Sequence, residues 1–203
     1  MTENYSITRD GDIKDGGKIK ARKEDSIKRR KQASWTFPPE NWHKANFDGA
    51  AKGNPGPASC GGIIRNSLGG GIAAISSPIG LQTNHLAEAS AARLTVKLAL
   101  VSGVEHLWLE GDSLNIINCI LGVTKPSWTI ESIIEDLKKD LRKFKNYHVS
   151  HVYREANVVA DWFANAVVTC NSVMTWGNNN HFPAAALELI RKEKFQGTNS
   201  KSF

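Results

Sequence analysis

A change in the spacing of apolar residues near residue 84 constrains the fold of this chain more than any other feature of its sequence. Before that point, residues 43–50, 60–65 and 71–76 have the alternating or short apolar patterns of strands, separated by Gly- and Pro-rich turns. After it, residues 86–101 carry apolar side chains at helical spacing. Three strands joined by short turns and followed by helices predict an α/β fold with a mixed sheet.

The later segments predict two more strands and three more helices. We expect strands at 106–110 and 147–153, and helices at 113–121, 130–144 and 157–168. The predicted order is βββαβααβα, which is a five-stranded mixed sheet of three antiparallel strands and two crossover strands, flanked by helices. Asn157 favours the start of the last helix because asparagine is a good N-cap.

The charge of the chain separates its ends from its middle. The formal net charge is +6, and residues 1–32 alone carry 10 Lys/Arg against 6 Asp/Glu. This polar composition predicts a disordered basic segment at 1–34, a folded domain at 42–170 and a weakly structured tail at 171–203. The basic clusters at 18–23 and 28–31 are typical of a nuclear import signal, of a nucleic-acid-binding arm, or of a solvated linker.

Cysteine usage and hydropathy predict the surroundings of the protein. Cys60, Cys119 and Cys170 are odd in number and far apart, which favours neither a disulfide framework nor a zinc site. The chain contains no apolar run of transmembrane length and no apolar secretory signal. We therefore expect a reducing location in the nucleus or cytoplasm, with the basic clusters favouring the nucleus. We also expect a monomer that binds no membrane and no small-molecule cofactor.

Four acidic residues fall at predicted strand ends or helix starts: Asp48, Glu88, Asp112 and Asp161. Such ends meet at one edge of an α/β sheet, where sites are commonly built. Clustered carboxylates require a cation, and their hard oxygens suit Mg²⁺ or Mn²⁺. Two such ions, about 4 Å apart, can activate water and stabilise the leaving oxygen of a phosphodiester. Because a chain with 20 acids places several at such positions by chance, position alone leaves the site open.

Local motifs add weight to the four acids. They are Phe-Asp-Gly-Ala-Ala-Lys-Gly-Asn-Pro-Gly-Pro-Ala at 47–58, Thr-Asn-His-Leu-Ala-Glu-Ala-Ser-Ala-Ala at 83–92, Glu-Gly-Asp-Ser at 110–113 and Arg-Glu-Ala-Asn-Val-Val-Ala-Asp-Trp-Phe-Ala at 154–164. In order and spacing they resemble the motifs of type 1 ribonuclease H, over about residues 42–170. The lead-in Trp-Thr-Phe-Pro-Pro at 35–39 is similar to that of reverse-transcriptase-like domains from plant retrotransposons.

The resemblance implies a ribonuclease H-like fold and a nuclease that cuts the RNA strand of RNA–DNA hybrids with two Mg²⁺ or Mn²⁺ ions. It implies that Asp48 bridges both ions, that Glu88 and Asp112 hold the ion on the water side, and that Asp161 holds the second. The products would carry a 3′-hydroxyl and a 5′-phosphate. The alternative is a weakly active or inactive domesticated domain that binds hybrid or double-stranded RNA.

The resemblance also assigns contacts with the hybrid. Asn54 and Asn84, with His85 beside them, match positions that touch the minor groove and its 2′-hydroxyls, which distinguish RNA from DNA. Thr83 falls near a pocket for a DNA phosphate, and Lys52 is a candidate phosphate contact. Asn54 equally suits a turn between Gly53 and Pro55. For Asn84 the alternative is a helix N-cap, and the contact with the hybrid is favoured over it.

Two features depart from the family pattern. The short stretch between Arg154 and Asp161 has no loop histidine, and His148 and His151 are expected to pack within a strand. The basic protrusion of some members is absent, so hybrid affinity would depend on Lys52, Arg65 and Lys125 or on the basic N-terminal segment.

Overall fold

The computed structural model describes residues 34–168, 172–177 and 181–199, with side chains up to residue 196. The predicted disordered basic segment, apart from Ser34, lies outside the described residues. Among the described residues, none of the helices combines the length and apolar character needed to cross a membrane.

In the described part of the chain the sheet has six strands, β1 His43–Ala51, β2 Gly56–Arg65, β3 Gly71–Gln82, β4 His106–Gly111, β5 Asn146–His151 and β6 Met174–Gly177. Their spatial order is β5-β4-β1-β2-β3-β6. The β1–β2, β2–β3 and β3–β6 pairs are antiparallel, whereas β1–β4 and β4–β5 are parallel. The predicted hairpins and crossovers are therefore confirmed, and the predicted count of five strands is wrong by the edge strand β6.

The described residues form five α-helices beside this sheet, α1 Asn84–Val101, α2 Leu114–Leu121, α3 Glu131–Leu141, α4 Val158–Ala166 and α5 Ala184–Asn199. Helix α1 begins at the N-cap Thr83, whose hydroxyl accepts a hydrogen bond from the backbone amide of Leu86 at 3.3 Å. Helix α2 ends at Gly122, which adopts a φ of 78° that glycine tolerates without a steric penalty. A short 3₁₀ turn, Arg154–Ala156, precedes α4.

Alternation along the strands divides the interior into two cores. Ala45 and Phe47 of β1 belong to the larger core, together with Leu107 and Leu109 of β4 and the apolar sides of α1, α2 and α3. A smaller core on the opposite face contains Ile63 and residues of α4 and α5. Strand β1 lies between β4 and β2 and is covered by helices on both faces. The ends of β4, α1 and α4 are therefore all positioned against β1.

The prediction of a weakly structured tail at 171–203 is wrong for the residues of this segment that the structure describes. Strand β6 pairs with β3 from Ala73 to Ser76, and helix α5 buries Ala186 and Ile190 in the smaller core. This apolar burial stabilises the segment, although its short strand and charged helix give weak local signals.

Candidate metal centre

The parallel pairing of β1 and β4 brings Asp48 and Asp112 together. In the register of this pair, Phe47 lies opposite Gly111, the last residue of β4. Asp48 and Asp112 follow these two residues, so both carboxylates stand at the same edge of the sheet. The predicted position of Asp112 at the end of the fourth strand is confirmed within one residue.

Two glycines let helices approach this edge from opposite faces of the sheet. A Cβ atom on Gly49 would lie 2.3 Å from the backbone nitrogen of Glu88, so only glycine lets α1 pack this closely against β1. A Cβ on Gly61, which pairs with Asp48, would lie 2.0 Å from the backbone nitrogen of Ala164 in α4. The glycines therefore position the helices that carry Glu88 and Asp161.

The four predicted acids line one cavity of ≈ 270 Å³. Oxygens of Asp48, Glu88 and Asp112 lie within 4.8 Å of one another. Asp48 and Glu88 are only 6% and 7% exposed. Asp161 lies on the same cavity wall but outside this group of three, and its Oδ1 accepts a hydrogen bond from Arg154 Nη2 at 3.1 Å. The arrangement is thus a group of three carboxylates with a fourth nearby.

Hydrogen bonds orient two of the carboxylates. The backbone amide of Gly49 donates to Glu88 Oε2 at 3.2 Å. The side-chain amide of Asn157 donates to Asp112 Oδ1 at 3.3 Å and to the backbone oxygen of Phe47 at 2.9 Å. Asn157 stands at the N-cap position of α4 but makes no capping side-chain bond. It links β1, Asp112 and α4, a role that the expectation of a simple helix cap missed.

Burial and mutual repulsion make this cluster a strong site for a cation. Burial, followed by the nearby Glu88, Asp112 and Asp161, raises the pKa of Asp48 to about 9. Burial, followed by Asp112, raises the pKa of Glu88 to about 8, although the hydrogen bond from Gly49 partly opposes this. A divalent cation would replace these protons, and clustered carboxylate oxygens are the ligands that Mg²⁺ and Mn²⁺ prefer. The donor set therefore fits the predicted ions.

The predicted hybrid-contacting residues belong to the β1–β2 turn and to the start of α1. The side-chain oxygen of Asn54 accepts a hydrogen bond from the backbone amide of Asn84 at 3.0 Å, which ties the β1–β2 turn to the start of α1. Asn84 also lines the cavity, whereas Thr83 is the N-cap of α1. Lys52, Asn54, Thr83 and Asn84 are exposed, and His85 is half-buried. Their contact with nucleic acid stays a prediction.

One predicted hybrid contact is wrong. Arg65 is fully buried and forms a salt bridge with Glu193 of α5, so its guanidinium cannot reach a phosphate.

His151 packs at the end of β5, where its Nε2 is 3.1 Å from the backbone oxygen of Asp112. His148 contacts the Trp108 ring edge-on, with a centroid distance of 5.2 Å.

Arg154 is the residue at this site that sequence reasoning missed. Its guanidinium pairs with Asp161, and its charge partly opposes the rise that burial and the neighbouring acids cause in the pKa values of Asp48 and Glu88. The signal was present in the sequence, because Arg154 is the first residue of the motif that ends in Asp161. The spacing of seven residues spans the 3₁₀ turn and the first turn of α4, which brings the two side chains together.

The fold and the acidic cavity together define a ribonuclease H-type domain. The reverse transcriptase-like family model matches residues 46–167 of the chain, so the chain belongs to this family. The crystal structure of RNase H1 from Halobacterium salinarum has a TM-score of 0.59 and 31% identity, covering 61% of this chain and 95% of that one. The structure of LC11-RNase H1 in complex with an RNA/DNA hybrid has a TM-score of 0.58 and 26% identity, covering 62% and 96%.

The similarity to curated proteins extends over parts of longer sequences. An Arabidopsis thaliana protein, named provisionally as a ribonuclease H protein, is 29% identical over 82% of this chain, which spans 27% of that protein. Ribonuclease HI of Halobacterium salinarum is 33% identical over 60% of this chain, which spans 61% of it. The chain therefore covers less than two thirds of the length of both relatives.

Proposed function

We propose that this chain is a ribonuclease H that hydrolyses the RNA strand of RNA–DNA hybrids with the help of Mg²⁺ or Mn²⁺. The observation that carries the proposal is the convergence of three carboxylates within 4.8 Å, beside a fourth on the same cavity. When bound, two cations would supply an activated water and neutralise charge at the scissile phosphodiester. Relatives named ribonuclease H support the reaction class.

The four acids would divide the work of holding the ions. Asp48 is buried beside Glu88 and Asp112, and it also interacts electrostatically with Asp161. It would therefore be shared by both cations, with Glu88 and Asp112 on one ion and Asp161 on the other. Gly49 and Asn157 each hold one oxygen of a ligand, which limits the rotation of Glu88 and Asp112.

Arg154 would act at the rim of the cavity. Its side chain is 77% exposed, so its guanidinium can leave Asp161 and turn toward a phosphate oxygen when that carboxylate takes a cation. A guanidinium is well suited to this because it donates two parallel hydrogen bonds to a phosphate. Arg154 would thereby keep a positive charge beside the acids, in the stretch 154–161 where many family members have a loop histidine and this chain has none.

Recognition of the hybrid would come from the rim formed by the β1–β2 turn and the start of α1. Asn54, Asn84 and His85 would read 2′-hydroxyl groups, and Thr83 and Lys52 would contact phosphates. The hydrogen bond between Asn54 and the amide of Asn84 keeps the two parts of this rim in register. Binding should weaken with salt, because part of it comes from phosphate neutralisation.

A second candidate is a domain that binds hybrid or double-stranded RNA without cutting. The Arg154–Asp161 ion pair favours it, because a permanently paired Asp161 would leave the second cation with one ligand fewer. The two candidates share the same surface and differ only in whether the acids hold the cations that promote cleavage of the RNA.

A cleavage assay tests the proposal and separates the candidates. Hybrid labelled on the RNA strand, double-stranded RNA and double-stranded DNA are incubated with Mg²⁺, Mn²⁺ or EDTA. We expect cleavage of the hybrid RNA alone, loss of cleavage in EDTA and in Asp48→Asn, and products that end in a 5′-phosphate and a 3′-hydroxyl. Glu135→Gln, which removes an exposed acid on α3, is the matched control. Hybrid binding without cleavage in either metal supports the second candidate, whereas cleavage by Asp48→Asn contradicts the proposal.

A further inference from the structure

A network of buried charged and polar side chains lies on the same sheet face as Asp48. Lys44 and Asn46 precede Asp48 on that face of β1, and both have zero exposure. The network also contains Arg65 of β2 at 0% exposure and Glu110 of β4 at 4%. Together with Glu193 of α5, these residues supply two positive and two negative charges within the folded interior.

Asn46 is the centre of this network. Its side-chain nitrogen donates to Glu110 Oε2 at 3.1 Å, and its side-chain oxygen accepts from Trp35 Nε1 at 2.9 Å and from Arg65 Nη2 at 2.6 Å. Asn46 and Glu110 are also direct partners in the β1–β4 register. Asp48 and Asp112 lie two residues further along these strands. The Asn46–Glu110 bond therefore joins the two strands immediately before their metal-binding carboxylates.

Two of the residues that hold Asn46 and its partner Arg65 lie outside the matched family range of 46–167. Trp35, in the lead-in before β1, is fully buried, and its ring lies 3.8 Å from the Arg65 guanidinium carbon. Glu193 of α5 accepts a hydrogen bond from the other end of the same guanidinium. The lead-in and α5 thus meet at Arg65, and through it they hold the Asn46 side chain.

Glu110 is held with similar completeness on the β4 side. Lys44 Nζ lies 3.2 Å from Glu110 Oε1 and 3.8 Å from the centroid of the Trp108 ring. The Ser150 hydroxyl of β5 donates to the same oxygen at 3.2 Å. Both oxygens of this carboxylate therefore have partners, which leaves Glu110 little freedom to rotate and gives the Asn46–Glu110 link a defined length.

Stability alone does not account for such a network. Replacing buried ion pairs by apolar groups of similar volume is often neutral or stabilising, so buried charges are weak evidence for a contribution to stability. Directional hydrogen bonds do define geometry, and metal ligands have to be held within about 0.5 Å of their required positions. A link between β1 and β4 beside Asp48 and Asp112 is placed where such control is needed.

We propose that Trp35 and Glu193 are positioning residues of the metal centre. Acting through Arg65 and Asn46, they set the separation of β1 and β4, and with it the separation of the Asp48 and Asp112 carboxylates. The working unit would then include the lead-in and α5 as well as the matched family range. This inference rests on the proposed function, because it assigns the support of the same metal site.

Two conservative substitutions in the full chain test the proposal. Trp35→Phe keeps an aromatic ring over Arg65 and removes the indole N–H that donates to Asn46. Glu193→Gln keeps the shape of the side chain and removes its charge. We expect each to weaken Mn²⁺ binding, measured by titration calorimetry, by about tenfold, as for other outer partners of metal ligands. The Mg²⁺ concentration for half-maximal cleavage should rise in parallel, while KM for the hybrid stays unchanged.

A matched destabilised variant separates positioning from stability. Leu137→Ala removes a fully buried side chain from the opposite core and should lower the melting temperature without changing Mn²⁺ affinity. Wild-type Mn²⁺ affinity in Trp35→Phe and Glu193→Gln would overturn the proposal, whatever their melting temperatures. If Trp35→Phe does not fold, Glu193→Gln alone decides, with Ser150→Ala as the second variant on the Glu110 side.

Crystal structures of the variants keep this inference distinguishable from the proposed function. We expect the distance between the Asp48 and Asp112 carboxylates to change in both variants, with or without metal. An unchanged distance overturns the positioning role. If wild-type protein binds no Mn²⁺ and cuts no hybrid, the proposed function fails, whereas the measured distance still decides whether Trp35 and Glu193 control the spacing.

Discussion

Replacing Asp48 by Asn should stabilise the protein in the absence of metal. Asp48 is 6% exposed, and a carboxylate oxygen of this residue lies within 4.8 Å of oxygens from Glu88 and Asp112. Two like charges at that distance repel by about 3 kcal/mol at an effective dielectric constant of about 20. The folded wild type avoids this repulsion at pH 8 only by keeping a proton on Asp48, which itself costs free energy. Asparagine keeps the size of the side chain and needs no such proton, so we expect the free energy of unfolding at pH 8 to rise by about 3 kcal/mol.

The pH dependence gives this prediction its sign. The pKa of Asp48 is raised by burial and by the neighbouring carboxylates from its ordinary value of 3.8 to about 9 in the folded protein. Between these two values the folded state retains a proton that the unfolded state releases, so wild-type stability falls as pH rises. Asp48→Asn removes this contribution, and its advantage over wild type should therefore grow from pH 5 toward pH 9.

Urea unfolding in EDTA at pH 5, 6, 7 and 8 measures the difference, with Glu135→Gln as the control for loss of an exposed charge. Mg²⁺ should stabilise wild type and have little effect on Asp48→Asn, because a ligand that binds only the folded state raises its stability. A variant less stable than wild type at pH 8, or an advantage that does not change with pH, would refute the reasoning.

Three further predictions concern the surroundings of the acids. Gly49→Ala should lower the free energy of unfolding by about 2 kcal/mol in urea titrations, because its Cβ would lie 2.3 Å from backbone. Gly70→Ala, whose Cβ would lie 3.3 Å from the Asn66 side chain, should be better tolerated; equal losses would contradict this. Asn157→Ala should weaken Mn²⁺ binding about tenfold in calorimetry, since a ligand loses its orienting donor; unchanged affinity would argue against that role. Arg154→Ala should tighten Mn²⁺ binding about threefold without hybrid, because Asp161 loses a competing cation; weaker binding would contradict the competition.

The sequence predicts well those parts of the fold that depend on local periodicity. The alternation of Ala45 and Phe47 with Asn46 and Asp48 predicted β1 and its two faces, and the structure shows both. The apolar spacing at 130–144 predicted α3, which spans Glu131–Leu141. Repeating patterns of this kind report the face that a segment buries, and burial of that face decides its conformation.

Contacts between distant segments are what the sequence could not supply. Arg65 looks like an exposed cation until α5 provides Glu193, which lies 128 residues later in the chain. Strand β6 is four residues long, and its identity depends on the edge that β3 offers. Asn157 was recognised as a cap from its place before a helix, but its partners, Phe47 and Asp112, become neighbours only through folding.

The four candidate acids were found from strand and helix ends together with family motifs, and they do share one cavity. The sequence did not predict how the four acids are arranged, because only three of them form a tight group. Asp161 lies outside this group and pairs with Arg154, a contact that spans the 3₁₀ turn before α4. The sequence thus predicts which residues take part, and the structure adds how they are arranged and which neighbours restrain them.

The position of bound Mn²⁺ tests the central claim most directly. Crystals of the full chain grown with Mn²⁺ should show anomalous scattering peaks between Asp48, Glu88 and Asp112 and between Asp48 and Asp161, with Arg154 turned away from Asp161. Asp48→Asn crystals under the same conditions should show neither peak. Saturating Mn²⁺ that leaves the cavity without a peak, or that binds only at other carboxylates, would contradict the account.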